Sequence, residues 1–282
     1  HREEPRNHRH IVATGRAIFG KEFWSPTDAE SESEALTLCF GIESLPLTTC
    51  NDRGLGSYPL RSSYPSRTQF RDSKWYPDGG TCVLRNDLIW VAIRCGPMGA
   101  GPGGHRHNDQ LSFELNVNGQ DIVVDWGTGA YTSDFDLRNR LRSTFSHSTL
   151  APQGVEQNSI PSGRFGLFAL FDQTNPQAIK FSQDRFVGQH SGFKSPHIRG
   201  FHIGSQNLTV DDMFNLKGIT QTTFTLASQV TVQQDLSDSG LELNSNGTRV
   251  WIEFSPLPTN IQVINDISAE GYGLLAQTHR IV

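Results

Sequence analysis

Basic runs and long apolar runs, which mark nucleic-acid-binding and membrane proteins, are scarce in this sequence. The 282 residues include 24 Lys and Arg against 29 Asp and Glu, for a net charge of −5. Without a cluster of basic residues there is no face to neutralise phosphates, so nucleic acid is not an expected partner. No apolar stretch approaches the roughly 18 residues that span a bilayer, and residues 88–93 form one of the longest. We therefore expect no membrane span.

Cysteine is also scarce, and an ordinary start is lacking. The cysteines match no zinc-ribbon or redox spacing. There are four of them: Cys39, Cys50, Cys82 and Cys95. We expect them to be buried as small apolar side chains, with one or two disulfides as the alternative. The first four residues, HREE, include neither a starting Met nor the apolar region of a secretory signal. We expect a processed chain or a piece of a longer protein.

Short β-type runs separated by turn residues occupy the sequence from about Gly80 onward. Two of the intervening pairs, Asn118-Gly119 and Asn246-Gly247, are preferred in the two-residue turn of a β-hairpin. Many short strands at close spacing indicate an antiparallel sandwich or barrel rather than β-α-β units. The predicted strands span residues 81–85, 88–95, 111–117, 121–126, 164–171, 178–181, 199–203, 208–213, 222–226, 230–234, 241–243, 250–254 and 261–264.

The first part of the chain has a different character. Residues 10–24 and 32–40 are helical candidates. Residues 51–78 are rich in Ser, Arg, Tyr, Pro and Gly without a period, which is typical of a linker or long loop. We therefore divide the chain into a helical segment with a linker at 1–55 and a β domain at 56–282.

Side chains that can carry chemistry are concentrated in the middle of the sequence. A glycine-rich loop at 99–104 precedes His105 and His107. Alternate residues of an extended segment point the same way, so both histidines can reach one site. Asp125 ends the second strand of the following hairpin, and His147 comes later in the chain. Two histidines and a carboxylate, with a further position left to water, suit Zn²⁺ or Fe²⁺.

The carboxylate of such a site depends on the register of that hairpin. Counting back from the two-residue turn sets Ser112 opposite Asp125. In this register His107 lies on the face of the sheet opposite to that of Asp125. A site that contains both therefore requires a bulge or loop at about 105–110, which the adjoining glycines make reasonable.

Two ligand sets follow from this ambiguity. One consists of His107, Asp125 and His147, and it requires the break in the strand. The other replaces Asp125 by Asp109, requires no break, and is similar to the His-x-Asp…His triad of non-haem iron oxygenases. Against the iron site, Gln157 stands about where the oxoglutarate-binding Arg is expected. The residues alone leave both sets open.

Several motifs occur in a fixed order over about a third of the chain. They are YPDGG at 76–80, GHRHND at 104–109, LSFEL at 111–115, VDWGT at 124–128, RSTFSHST at 142–149 and GVEQ at 154–157. The stretch from Trp75 to Gln157 resembles the C-terminal β domain of heparinase II/III-type polysaccharide lyases. It departs from that pattern at Trp126, Gly129 and Ser148.

The resemblance implies a fold and a site. The fold would be mainly β, a large antiparallel and supersandwich-like β-sandwich, preceded at 1–55 by the helical remnant of an α/α toroid. His105 would be the catalytic histidine. A zinc ion that organises the site would be held by three residues, His107, Asp125 and His147. The resemblance thus selects Asp125 over Asp109 and predicts the break near His107.

The resemblance also implies a reaction. Such lyases cleave uronate-containing acidic polysaccharides by β-elimination, in which a base removes the proton next to the carboxyl group and the growing charge is neutralised. Arg138 and Arg142 are candidates for shaping the site or binding an acidic sugar, with pairing to Asp134 or Asp136 as the alternative. The family's catalytic tyrosine comes from an N-terminal helical domain, so we expect this chain to carry half of a lyase site.

Substrate, compartment and alternative functions follow from the same comparison. Heparan-like glycans, alginate and other uronate-containing polysaccharides are all candidate substrates. Because the family usually acts on extracellular glycans, we expect a periplasmic or secreted protein. A non-catalytic glycan-binding β module, with tryptophans stacking on sugars, is one alternative function. The non-haem iron oxygenase is the other.

Overall fold

The computed structural model describes residues 72–99, 101–215, 218–234, 240–271 and 273–282. All of these residues lie in one compact unit of the chain, 71–282. The predicted helices, the predicted boundary between residues 55 and 56, and most of the predicted linker lie outside the described residues. Within the described ranges, no helix has the length and apolar character required to cross a membrane.

The first sheet is antiparallel and its five strands follow chain order. Its third strand alternates buried and half-buried side chains, the pattern of a strand with one face on a core. The turn between the last two strands has Asn118 and Gly119 at φ of 50° and 81°, which confirms the predicted hairpin. The strands are β1 Lys74–Tyr76, β2 Thr81–Arg85, β3 Ile89–Arg94, β4 Phe113–Val117 and β5 Gln120–Val123.

The second sheet has four antiparallel strands in the order β10-β9-β8-β7. Phe113 of the first sheet contacts Phe201 of the second with ring centroids 5.7 Å apart, and Trp75 contacts Phe186 at 5.3 Å. The two sheets therefore pack face to face around a shared apolar core, as in a β-sandwich. The strands are β7 Gln177–Phe181, β8 Arg185–His190, β9 His197–Ile203 and β10 Leu208–Phe214.

Three small antiparallel sheets complete the described domain, in the orders β11-β6, β12-β17-β16 and β13-β14-β15. Among the described residues, helical structure is limited to α1, Phe135–Leu141, and two short 3₁₀ helices, Thr144–Ser146 and Arg164–Phe168. The strands are β6 Leu150–Pro152, β11 Thr220–Thr222, β12 Phe224–Thr225, β13 Val230–Gln234, β14 Gly240–Ser245, β15 Thr248–Glu253, β16 Val263–Gly271 and β17 Leu274–Ile281. The predicted mainly β, antiparallel fold is confirmed.

The predicted strands differ from the observed ones at identifiable places. The prediction of a strand at 164–171 is wrong, because residues 164–168 form a 3₁₀ helix. Strands β1, β6, β8 and β17 were not predicted, and β1 lies within the predicted linker at 51–78. Strand β8 contains Gly188, where an added Cβ would lie 2.7 Å from a side-chain carbon of Leu111. The glycine that makes β8 a poor strand by sequence is thus required by the close approach of another segment.

Cys82 and Cys95 are free and buried. Burial raises the pKa of the Cys82 thiol to about 12 and that of Cys95 to about 11. Both act as small apolar side chains, which confirms the prediction for these two. Cys39 and Cys50 lie outside the described residues.

The second sheet buries polar side chains as well as apolar ones. The backbone N–H of Gly192 donates to Nδ1 of His190 at 3.1 Å, so the proton of His190 is on Nε2. That proton is donated to Nδ1 of His197 at 3.2 Å, and Nε2 of His197 donates to Asp212 at 2.6 Å. The chain of donors fixes the tautomer of both buried rings.

This histidine pair is expected to make the domain sensitive to acid. Burial lowers the pKa of His190 to about 3 and also lowers the pKa of His197. The unfolded chain therefore binds more protons, and stability is lost as the pH falls from about 6.5 towards 3. The side chain in His190→Gln does not titrate. We predict that the free energy of unfolding of this variant falls less steeply with decreasing pH than that of the wild type, by up to ~1.4 kcal/mol per pH unit. Urea unfolding between about pH 7 and 5 measures both slopes, and equal slopes would contradict the prediction.

Candidate functional site

The loop between β3 and β4 lines a cleft with several side chains and buries two others. Asn108 and Gln110 are buried and make hydrogen bonds to the core. His105, His107 and Asp109 line a cleft of about 400 Å³, and so does Arg106. The prediction that His105 and His107 reach one site is therefore confirmed, although the segment is a loop without the strict alternation of a strand. The complete lining is Arg94, Met98, His105, Arg106, His107, Asp109, Asp125, Gly127 and Thr128.

His107, Asp125 and His147 lie together. Each offers a ligand atom, and these atoms all lie within 4.8 Å of one another. Nδ1 of His147 is 2.6 Å from Oδ2 of Asp125, and the rings of His107 and His147 have centroids 5.2 Å apart. The structure thus brings together the set that contains Asp125. Asp109 is outside this group, which argues against the His-x-Asp…His iron site.

The charges of this group suit a divalent cation. Burial and the neighbouring His147 lower the pKa of His107 to about 3, so its imidazole is neutral. Burial alone would raise the pKa of Asp125, but His147 holds it well below its usual range. Nε2 of His147 is buried and has no hydrogen-bond partner among the described residues. Against the effect of its burial, Asp125 in turn raises the pKa of His147, so a bound ion would replace a proton on that ring. With that exchange, two imidazoles and an ionised carboxylate fit a zinc ion.

The hairpin register explains how Asp125 reaches the histidines. The residues beside the turn pair as predicted, but Leu115 then pairs with Val123, which leaves Ile122 as an extra residue in β5. The predicted pairing of Ser112 with Asp125 is therefore wrong. The one-residue bulge moves Asp125 to the face that His107 would share, because side chains alternate along a strand.

The predicted break at 105–110 is present in addition to the bulge. Strand β4 begins only at Phe113. Leu111 has a φ of 58°, in the left-handed region that residues other than glycine rarely adopt. The chain therefore changes direction between the loop that carries His107 and the strand that follows it.

Arg138 of α1 supports His107 from below the cleft. Its side chain is buried, and its Nη1 donates to Nε2 of His107 at 3.1 Å. Its Nη2 donates to the backbone oxygen of Gly104 at 3.1 Å. Asp134 does not hold it, since that carboxylate caps α1 by accepting the N–H of Leu137 at 2.9 Å. Arg138 therefore shapes the site, and its burial does not fit the predicted contact with substrate.

Arg142 is also buried, and the prediction that it binds substrate does not fit the structure. Its Nη2 donates to the backbone oxygen of Gly166 at 2.8 Å, and its Nη1 donates to those of Leu167 and Ala169 at 3.2 and 3.0 Å. The guanidinium thus binds the carbonyls of the 3₁₀ helix that replaces the predicted strand at 164–171. Arg142 organises backbone rather than a ligand.

His105 is exposed at the mouth of the cleft. Its Nδ1 lies 3.1 Å from the hydroxyl of Tyr131, and the two rings meet edge to face with centroids 5.3 Å apart. Phe168 is nearly parallel to the Tyr131 ring at 6.2 Å. With Nδ1 occupied by Tyr131, Nε2 is the nitrogen of His105 that remains for chemistry in the cleft.

Glu156 connects the segments that carry His107 and His147. Its carboxylate accepts a hydrogen bond from Nδ2 of Asn108 at 2.8 Å. It also accepts from the backbone N–H and the hydroxyl of Thr144, at 2.8 and 2.6 Å, and from the Ser143 hydroxyl. These donors lie on the cleft loop and on the 3₁₀ helix before His147.

Removing the charge of Glu156 is expected to destabilise the domain. In Glu156→Gln an amide NH₂ replaces one acceptor, so at least one buried donor loses its partner. We expect the free energy of unfolding to fall by about 2–4 kcal/mol. Urea denaturation measures the change, with Glu253→Gln, at an exposed position of β15, as the matched control. Equal losses in the two variants would contradict this role of Glu156.

Comparison with known proteins identifies the family. A family model described as Heparinase II/III-like, C-terminal, matches residues 68–282. The chain belongs to this family. The resemblance predicted from the motifs at 75–157 is thus confirmed and extends to the end of the chain. No curated protein matches this heparinase II/III-like chain.

Solved structures share the fold of this heparinase II/III-like chain. One is the heparan sulfate lyase HepC from Pedobacter heparinus, with a TM-score of 0.65, 15% identity, and coverage of 97% of this chain and 39% of that one. Another is heparinase III, with a TM-score of 0.59, 19% identity, and coverage of 75% and 34%. At such identities the likeness shows the fold alone. The chain spans well under half the length of these proteins.

Two supports of the heparinase II/III-like site were not predicted from sequence. One is Glu156, whose donors lie 12 to 48 residues away in the chain. The other is Thr128, whose hydroxyl lies 3.3 Å from Nε2 of His107. Both occur within motifs that carry the family resemblance, and this was the only signal available. Spacing alone indicates no role for either.

Proposed function

We propose that this chain is the zinc-binding β domain of a longer polysaccharide lyase that cleaves a uronate-containing acidic polysaccharide by β-elimination. The supporting observation is the exposed His105 in a cleft lined also by His107 and Asp125, with the buried His147 completing the group of three candidate ligands. Membership in the heparinase II/III-like family supports the same assignment.

In this proposal His105 moves a proton in the cleft. Its Nδ1 contacts Tyr131, so Nε2 faces the reaction, either taking the proton next to the uronate carboxyl group or returning one to the departing oxygen. The neutral His107 would be one zinc ligand, with Asp125 and His147 as the others, and binding of the ion would displace the hydrogen bond that its ring accepts from Arg138. When bound, the zinc ion supplies positive charge that holds these side chains in place.

The remainder of the site would come from the longer protein. The chain spans 39% of the length of HepC and 34% of that of heparinase III. We propose that an N-terminal helical domain supplies the second proton-transfer group, a tyrosine, and most of the sugar contacts. We further propose a periplasmic or secreted location, since acidic polysaccharides of this kind are extracellular.

The test compares the chain with the longer protein. Each is incubated with heparan sulfate, alginate and other uronate-containing polysaccharides, and the absorbance of the unsaturated uronate product is followed. The proposal predicts product only from the longer protein and one bound zinc ion per chain by metal analysis. Full activity of the isolated chain would refute the half-site proposal, and absence of product from the longer protein on every acidic glycan would refute the lyase assignment.

A further inference from the structure

One buried arginine of β9 contacts two of the stretches that carry the candidate metal ligands. Arg199 is 1% exposed. Its Nη1 donates to the backbone oxygens of Leu111 and Ser148, each at 3.0 Å. Leu111 ends the loop that carries His107, and Ser148 directly follows His147. A single guanidinium nitrogen therefore joins these two stretches beneath the site.

The stretch that carries the third candidate ligand is reached through Ser148. The hydroxyl of Thr225 donates to the backbone oxygen of Val124 at 2.6 Å. Its oxygen therefore accepts from the Ser148 hydroxyl, 2.7 Å away, and the Thr225 N–H donates back to Ser148 at 3.0 Å. Val124 directly precedes Asp125. The hydrogen bonds from Arg199 thus extend to residues adjacent to His147 and Asp125 and to the loop that carries His107.

The arginine itself is held in a fixed orientation. Its Nε and Nη2 donate to the two carboxylate oxygens of Asp212 at 2.7 and 2.8 Å. Asp212 also accepts from His197, the ring that His190 supports on its other side. Because Asp212 is itself held in place and binds Arg199 through both oxygens, the guanidinium has little freedom to rotate. Nη1 is therefore aimed at the two carbonyls by the sheet below.

Leu111 gives this contact a specific consequence. Its φ of 58° is a strained conformation for a leucine. Its side chain packs against Gly188 of β8, so closely that an added Cβ there would be 2.7 Å away. Strained backbone persists only where its surroundings enforce it. The hydrogen bond from Arg199 to the Leu111 carbonyl is one such constraint, and it sets the direction in which the loop leaves the strand.

We propose that Arg199 is a positioning residue for the metal site, an inference that rests on the proposed zinc site. It acts through Leu111, Ser148 and Thr225 and touches neither metal nor substrate. A lysine at this position keeps the charge but cannot bind both oxygens of Asp212 and both carbonyls at once. Arg199→Lys should therefore preserve a folded domain and disturb the geometry of the ligands.

The test uses the 282-residue chain loaded with Zn²⁺ or Co²⁺. Zinc affinity is measured by competition with a chromophoric chelator, and the visible bands of bound Co²⁺ report ligand geometry. The variants are Arg199→Lys and Thr225→Val. The matched control is Leu243→Ala, a buried residue of β14 in a different sheet, which lowers stability without touching these contacts. We expect about tenfold weaker zinc binding and altered cobalt bands for Arg199→Lys, and a smaller change in the same direction for Thr225→Val.

The outcomes separate the two proposals. Wild-type affinity and wild-type cobalt bands in both variants would overturn the positioning role, as would changes of equal size in Leu243→Ala. If Arg199→Lys does not fold, the zinc affinity and cobalt bands of Thr225→Val alone decide whether the positioning role holds. A wild-type chain that binds neither metal would overturn the zinc site and this inference with it. A chain that binds metal and responds to Arg199→Lys, in a longer protein without lyase activity, would uphold the inference and refute the lyase.

Discussion

Replacing His147 by alanine is expected to lower the zinc affinity of the chain by at least about 100-fold, more than the loss of a residue that merely orients a ligand. The physical reason is that His147 contributes an imidazole whose Nε2 is buried and otherwise unpartnered within the described residues. It also pairs with Asp125 at 2.6 Å. This one substitution therefore removes the His147 ligand and also the partner that keeps the Asp125 carboxylate ionised. Titration with a competing chelator measures the affinity.

The control for this experiment is another histidine of the same domain. His202 lies on β9, is partly exposed, and has its nearest carboxylate, that of Asp184, at 3.5 Å. His202→Ala should bind zinc as the wild type does. Because His147 is buried, circular dichroism must show that its variant is folded, and Asp125→Asn, at a more exposed position, provides an independent loss of affinity. Wild-type zinc binding by both site variants would show that the metal is not held here.

Replacing His105 by alanine in the longer protein is expected to lower kcat/KM by about 100- to 10,000-fold, the range typical of a proton-transfer group. The side chain is exposed in the cleft and supported at Nδ1 by Tyr131. It is not a member of the metal-binding group, so its loss should remove proton transfer without removing zinc. Initial rates of product absorbance and zinc content, measured on the same preparation, check both parts of this prediction.

The combination of rate and metal content makes the His105 result specific. His202→Ala again serves as the control and should leave kcat/KM unchanged. A variant without His105 that keeps full turnover would favour a glycan-binding module in which another protein performs the chemistry. A variant that loses zinc together with activity would instead place His105 in the metal site.

The sequence predicted the residue types of the site and the class of the fold. Asn118-Gly119 predicted the first hairpin, and the spacing of His105 and His107 predicted that both face one cleft, because each of these signals is local. Alternating apolar residues predicted β2 and β13 with the bounds that the structure has. The choice of Asp125 over Asp109 came from the family resemblance, against the hairpin register counted from the sequence, which required a break for Asp125 and none for Asp109.

What the sequence did not predict depends on contacts between distant segments. Arg142 donates to three carbonyls more than 20 residues away, and these lie in or directly after the 3₁₀ helix that replaces the predicted strand. Gly188 interrupts the pattern of β8 because Leu111 packs against it. Local propensity is overridden in both cases by a partner from another part of the chain, and neither partner is marked by spacing.

The extra residue in β5 has a consequence for how such a domain could gain or lose its metal. The hairpin pairs Leu115 with Val123 and leaves Ile122 unmatched, and this extra residue reverses the face on which the later side chains, that of Asp125 included, are expected to lie. Deleting one residue here would restore regular pairing in the hairpin and turn the Asp125 carboxylate to the other face of the strand. All three candidate ligands would still be present in the sequence. In this fold the reach of a candidate ligand therefore depends on the length of the hairpin as well as on the identity of the residue.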